Sequence, residues 1–307
     1  MQTHATLSAT RGILRMYGVT ADKSYLETAK KIFGTYIDCG MTENYANINW
    51  FGRPDTWTEP CAIVDSCLCA MELYRYTLQH KYLSLANRIY RNALCYAQRM
   101  NGGFGCDICT VFPGQKVLHP HAKGLTEAFW CCTMRGAEGL SYLAQNIVFY
   151  SETGDGNVEN VYVNLYEDID VTQGQFELRM DSSYLDQGVV TIRFMNKTNR
   201  KINLIVYNPV NDLPFTYIAD PGSLLFRPHF SMQPVYDGKR ICSGDLILGI
   251  KGICQGNEID TPDLNKLEYL GKGMYKYIGT EYILQPLTDM ADLEYEEILE
   301  ESRQILF

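Results

Sequence analysis

Thr20-Ala-Asp-Lys-Ser-Tyr25-Leu26-Glu-Thr-Ala29-Lys-Lys-Ile32-Phe33 recurs further along the chain as Thr77-Leu-Gln-His-Lys-Tyr82-Leu83-Ser-Leu-Ala86-Asn-Arg-Ile89-Tyr90. In both copies the apolar residues fall at i, i+1, i+4, i+7 and i+8, the stripe of an amphipathic helix. Each copy follows a short polar turn (Thr20 to Lys23; Thr77 to Lys81), and each turn follows another helical stretch (Leu7 to Tyr17; Ala62 to Tyr76). Two helix-turn-helix units at such a period predict stacked helical hairpins, arranged as a solenoid or as a closed α/α toroid. Gly40 and Gly102-Gly103 are the expected helix stops.

Working outward, the pattern changes near residue 151. Ser151-Glu-Thr-Gly-Asp-Gly-Asn157 reads as a turn-rich linker, and the period then shortens to two. Val161 to Tyr166, Phe176 to Met180, Val189 to Phe194 and Ile202 to Tyr207 read as strands. Asp220-Pro221-Gly222 and Tyr236-Asp237-Gly238 supply turns between later ones. Closely spaced short strands predict a β-sandwich. The expected organisation is α+β and multidomain: helical over 1–150, a β-sandwich over 151–290, and an acidic helical tail over 291–307.

A chain of 307 residues is long enough for one large or two ordinary cores. The net charge of -9 argues against non-specific binding to nucleic acid or to an acidic membrane. The first residues open straight into helical pattern, so neither a secretory leader nor a long apolar span is expected. Eleven cysteines, an odd number set mostly in helical pattern, point to reduced thiols and a cytoplasmic location.

The chemistry is concentrated in Glu59-Pro60-Cys61 and Trp130-Cys131-Cys132-Thr133. Neighbouring cysteines are poor disulfide partners, since consecutive Cα atoms lie only about 3.8 Å apart. Three thiolates and a carboxylate instead make a four-ligand set suited to Zn2+. Both elements precede predicted helices, starting near Ala62 and at Arg135, and a helix N-terminus favours thiolate over thiol.

These two elements resemble glycoside hydrolase family 127 and its relatives, the β-L-arabinofuranosidases, which carry a Glu-x-Cys and a later Cys-Cys. His4-Ala5-Thr6, the Tyr17 to Leu26 turn and Val161 to Tyr166 resemble further family segments, so the resemblance covers roughly residues 1 to 210. It implies that residues 1–150 are the C-terminal part of an (α/α)6 toroid, followed by a sandwich. It further implies Zn2+ held by Glu59, Cys61, Cys131 and Cys132, with Cys131 as nucleophile and Glu43 as acid/base. The implied activity is that of a retaining glycosidase with a carbohydrate substrate. An incomplete toroid exposes apolar helix flanks, which points to homo-oligomerisation.

The chain departs from the family at Glu43, which lacks the Gly-Gly approach; Asp55 is the nearest substitute acid. Asn87 stands where a glutamate is expected, and Cys106 near an expected tyrosine. Cys106-Asp-Ile-Cys109 could join Cys131 and Cys132 in a purely structural four-cysteine zinc site. Trp50, Arg53 and Trp57 either clamp a sugar or plug the end of the helical domain. His4 is a candidate substrate contact, and Arg135 a charge near the cluster or an exposed helix start. His119 and His121 read as solvated loop residues, and Cys67, Cys69 and Cys95 as packing residues. Two other function classes compete: a carbohydrate-binding or scaffold protein in which zinc only holds the fold, and a sugar lyase or epimerase. The latter would not need adjacent cysteines.

Overall fold

Both sequence repeats fold as helical hairpins: α1 (Thr3–Thr20) with α2 (Lys23–Cys39), and α3 (Pro60–Thr77) with α4 (His80–Ile89). The computed structural model describes residues 1–53, 56–99, 101–110, 119–122, 131–211, 213–237, 240–250 and 263–289. The repeat extends to the hydrogen bonds of the turns. Thr20 Oγ1 donates to Met16 O (2.7 Å) and accepts from Asp22 N (3.2 Å); Thr77 Oγ1 donates to Leu73 O (2.6 Å) and accepts from Gln79 N (3.2 Å). The next residue, Ala21 or Leu78, turns left-handed (φ 56° and 53°) and returns its N–H to the helix end.

α3 is buried on nearly every side from Pro60 to Tyr74, so it is the central helix, with α1 and α4 packed against it. Cys67 and Cys69 lie in this core as expected, whereas Cys95 is half-buried. α4 continues as a π-helical turn, Tyr90–Leu94, and a last short turn α5, Cys95–Ala97. The helix therefore stops before Gly102-Gly103. A two-stranded ribbon of β1 (Asp107–Thr110) and β2 (His119–Ala122) precedes α6 (Cys131–Asn146).

β3 (Val148–Glu152) and β4 (Val158–Val163) form a hairpin, closed by Thr153 N to Asn157 O at 2.8 Å. The stretch 151–157 is thus a turn inside a sheet and not a linker between domains, because a strand already precedes it. β5 (Ile169–Thr172), β6 (Phe176–Ser183), the single turn α7 (Tyr184–Gln187), β7 (Val189–Asn196), β8 (Ile202–Val206), β9 (Phe215–Ala219) and β10 (Gly222–Phe226) follow. They complete two four-stranded sheets, ordered β3-β4-β8-β9 and β10-β7-β6-β5, with β4 and β8 parallel. Burial alternates along β6 and β8, so each of these strands hides one face.

β11 (Val235–Tyr236), β12 (Ile241–Ser243), β13 (Leu246–Ile250), β14 (Leu267–Gly271), β15 (Met274–Tyr277) and β16 (Ile283–Pro286) make a third sheet. Its small core is Leu248, Tyr275 and Leu284. The chain packs as two compact units: Met1–Leu140 with Pro234–Leu270 and Met274–Phe307, and Ser141–Gln233 with Gly271–Gly273. The third sheet therefore belongs with the helices and does not extend a sandwich to residue 290. Asn92, in the π-helical turn, supplies the reason: its amide donates to Asp245 O (2.7 Å) and accepts from Ile247 N (2.7 Å), pinning β13 to the helix. The predicted acidic tail, 291–307, lies outside the described residues.

Leu78 is exposed and held left-handed, a conformation costing a side-chain-bearing residue about 1 kcal/mol. Leu78→Gly is expected to raise stability by up to about 1 kcal/mol, read as a higher urea midpoint at unchanged slope. A lower midpoint would contradict the left-handed cap.

Candidate metal centre

Two helix starts present the thiols. Glu59 is the N-cap of α3, Pro60 takes the first helical position where its missing N–H costs nothing, and Cys61 follows. Cys131 and Cys132 open α6. The donor atoms of Cys61, Cys131 and Cys132 lie within 4.8 Å of one another, and so do those of His4, Glu59 and Cys61. Cys61 Sγ is 3.8 Å from Cys131 Sγ, and Cys106 Sγ is 3.9 Å from Cys132 Sγ. Cys131 is exposed; Cys61, Cys106 and Cys132 are buried.

Backbone ties hold these segments together. Thr58 N donates to Asp107 O (2.8 Å), and Asp107 N donates to Thr58 Oγ1 (3.0 Å). The Glu59 N–H is taken by Asn47 Oδ1 (3.0 Å). Buried Arg99 donates to both Cys106 O (3.1 Å) and Asp107 Oδ1 (2.7 Å). α6 comes close because Gly136 has no side chain: a Cβ there would sit 2.2 Å from the Phe104 ring. Phe104 N in turn donates to Thr133 Oγ1 (3.1 Å).

Asp65, one helical turn after Cys61, is wholly buried and serves three helices. Its oxygens accept from Ser8 Oγ (2.5 Å) and Arg11 Nη1 (2.6 Å) of α1 and from Arg135 Nη2 of α6. His4 bridges two carboxylates, Nε2 to Asp65 Oδ2 at 3.3 Å and Nδ1 to Glu59 Oε1 at 3.4 Å. With an acceptor at each ring nitrogen, both must carry hydrogen, which is the imidazolium form. Accordingly the Asp65 and Glu59 hydrogen bonds raise the His4 pKa to about 9. Burial pushes the Asp65 pKa up, but hydrogen bonds from His4, Ser8 and Arg11 outweigh it and hold Asp65 below 3.8. Among the thiols, hydrogen bonds from Cys106 and then Cys61 lower Cys132 to about 3. The reciprocal bond to Cys132, followed by burial, raises Cys61, and partial burial raises Cys131.

The cluster opens into a cleft of about 370 Å³ lined by Gln2, Asn49, Trp57, Glu59, Cys106, Cys131 and Cys132. In the amide orientation that satisfies its neighbours, Asn49 donates to Glu59 Oε2 (2.8 Å) and accepts from Trp57 Nε1 (3.0 Å). Of the residues singled out from sequence, Glu59, Cys61, Cys131, Cys132 and His4 are brought together, and Trp57 joins them in the cleft. Trp50 pairs with Gln2 and Arg53 through the backbone, and neither Trp50 nor Arg53 lines the cleft. Glu43 is also outside the lining; its carbonyl accepts from Arg240 Nη1 (2.5 Å). Arg135 has a definite task on Asp65, and Asn87 is buried, donating to Leu83 O (3.1 Å). Asp55 and the side chains of Cys109, His119 and His121 lie outside what the structure describes. Gln2, Asn49 and Asp65 were not singled out. Only Asp65 carried a signal, its four-residue spacing from Cys61.

No protein-family profile and no curated protein matches the chain. Solved structures do. A family 127 β-L-arabinofuranosidase from Geobacillus stearothermophilus T6 superposes with a TM-score of 0.64 at 13% identity, over 93% of this chain and 58% of that one. A second family 127 β-arabinofuranosidase gives 0.65 at 14%, over 94% and 58%. A structure described as a glycoside hydrolase gives 0.66 at 13%, over 95% and 64%. This chain therefore shares the fold of these enzymes, and it spans about three-fifths of their length. Among the described residues no helix is long and apolar enough to cross a membrane.

Removing the Asp65 charge takes the buried carboxylate away from His4, Arg11 and Arg135. Asp65→Asn is expected to cost about 3 kcal/mol in chemical denaturation at neutral pH. Because its folded pKa is depressed, the stability Asp65 confers is complete above 3.8 and is lost as pH falls through its folded value. The gap between wild type and variant should therefore close on the acid side. A gap independent of pH would show that Asp65 does not act through its charge.

Proposed function

We propose that this chain is a retaining glycosidase of the zinc-thiolate kind, acting on arabinofuranosides or a closely related sugar. The observation that carries this reading is the thiol cluster at the floor of a cleft. The donors suit the metal: at about 2.3 Å per zinc–sulfur bond a tetrahedral site sets its sulfurs about 3.8 Å apart, which is the Cys61–Cys131 separation. Cys61, Cys131 and Cys132 would hold the ion, with Glu59 as the carboxylate ligand that the family resemblance implies. When bound, zinc keeps these thiols ionised at neutral pH.

The chain's own residues then do the following. The Cys131 sulfur, the exposed one, attacks the anomeric carbon as the bond to the leaving oxygen breaks. Glu43, by resemblance, gives that oxygen its proton. Glu43 then takes a proton from water, whose oxygen displaces the Cys131 sulfur and restores the thiolate. Trp57 offers a flat apolar wall for a sugar face. The same reading makes the helical hairpins part of an (α/α)6 toroid and the sheets of 148–226 a β-sandwich, in a chain that can self-associate through its apolar helix flanks. It assigns a carbohydrate partner and no nucleic acid or membrane. Nine described cysteines, all free thiols, support a cytoplasmic setting.

A second reading is a carbohydrate-binding or scaffold protein with a structural zinc. The fourth sulfur of Cys106 beside Cys132 favours it, since closed sulfur-only sites are commonly structural.

The two readings separate on variants assayed with a panel of aryl and alkyl glycofuranosides. Cys131→Ala is expected to abolish turnover of all of them while the protein stays folded. Glu43→Gln is expected to slow alkyl glycosides by about 10²–10⁴-fold and to spare those with acidic phenol leaving groups. Undiminished turnover in Cys131→Ala would overturn the glycosidase mechanism, and absence of any turnover in wild type would favour the scaffold.

A further inference from the structure

We propose that Arg240, next to the third sheet's β12, is a positioning residue for Glu43: it clamps the loop 42–47 that carries this carboxylate. The proposal rests on the reading of Glu43 as the acid/base of a glycosidase. Glu43 is half-buried and outside the lining of the cleft. How near its carboxylate comes to a leaving oxygen is therefore set by where its loop is held.

The loop is tight and contains a strained residue. Tyr45 N donates to Thr42 O and Thr42 N to Ala46 O, both at 3.0 Å, and Thr42 Oγ1 donates to Asn44 Oδ1 (2.5 Å). Tyr45 is buried and left-handed, with φ 65°. A side chain of this size keeps such a backbone only where its surroundings hold it.

Two arginines hold it. The Arg240 guanidinium lies over the Tyr45 ring, 4.2 Å from its centroid, while Nη1 donates to Glu43 O (2.5 Å). Arg88 Nη1 of α4 donates to Tyr45 Oη (3.4 Å), and Arg88 Nε stands 3.9 Å from Asp245 Oδ1. Arg240 is itself aimed by Asp237, whose Oδ2 accepts from its Nε (3.0 Å) and whose Oδ1 accepts from its backbone N–H (2.9 Å). One guanidinium thus grips both the residue that carries the carboxylate and the strained residue two places on.

The far end of the loop reaches the thiol cluster. Asn47 Oδ1 accepts the Glu59 N–H (3.0 Å), and Ile48 N donates to Gly40 O (2.9 Å) at the base of the loop. Arg240, the loop and Glu59 form one line of contacts within a single compact unit. The clamp comes from 197 residues beyond Glu43, so the third sheet has a task at the site besides packing on the helices.

The test compares leaving groups. Arg240→Ala is expected to lower kcat for alkyl glycofuranosides by about 10²-fold with little change in KM. It should spare substrates with acidic phenol leaving groups, which need no proton from Glu43. In a Glu43→Gln background the same substitution should add nothing further. A merely structural arginine would slow both substrate kinds alike. Equal slowing, or a full additional loss in the double variant, would overturn the clamp. If Glu43→Gln alone still shows the leaving-group split, the glycosidase reading stands. No turnover by wild type, or no split in Glu43→Gln, would overturn both. Should Arg240→Ala not fold, Arg240→Lys decides: it keeps the charge without the fork, so a smaller split in the same direction is expected, and none would overturn the clamp.

Discussion

The helical unit is organised around one buried charge. Asp65 sits in the interior of α3 with no exposure, and a bare carboxylate there would be untenable. It is matched by Arg11 and His4 from α1 and by Arg135 from α6, with the Ser8 hydroxyl adding a hydrogen bond. These partners from two helices tie both to α3, where packing alone would let them slide. Through His4 the same charge reaches Glu59 at the cleft, so the core and the site share one electrostatic network. Arg11 and Arg135 also meet Glu138, which spreads the positive charge over two carboxylates.

The thiol cluster depends on that arrangement because Cys61 and the Cys131–Cys132 pair come from separate helix starts. α3 and α6 must cross closely for Cys61 to meet Cys131. Small residues permit this: a Cβ on Gly139 would press on Val64 Cγ2 at 2.8 Å, and Gly136 accommodates the Phe104 ring. Sulfurs at two helix N-termini gain from the unpaired N–H groups there. The centre then follows as a meeting of helix ends, clamped from the side by Arg99 and Thr58.

Much of the helical unit was legible because its signals are local. The Tyr-Leu…Ala…Ile repeat determined both hairpins, and even the threonines at the turns make matching hydrogen bonds. Adjacent cysteines are poor disulfide partners, and the structure gathers them with Cys61 in one cluster. What the sequence could not show was set by distance along the chain. Nothing near Asn92 announces that its amide will capture β13, so the strands of 235–286 read as more sandwich. Cys106 read as half of a Cys-x2-Cys unit that could join Cys131 and Cys132, and the fold sets its sulfur 3.9 Å from that of Cys132. His4 read as a substrate contact, whereas the structure spends both its nitrogens on carboxylates. Glu43 was assigned from the resemblance alone, and it is not among the residues that line the cleft.

The central claim is that the sulfurs at the cleft bind zinc as a unit. Metal content per chain, measured by mass spectrometry on protein purified under reducing conditions, tests it most directly. The account predicts close to one zinc per chain, lost when Cys61 and Cys132 are both replaced by serine. A value near zero in the folded wild-type chain, or an unchanged value in the double variant, would contradict it.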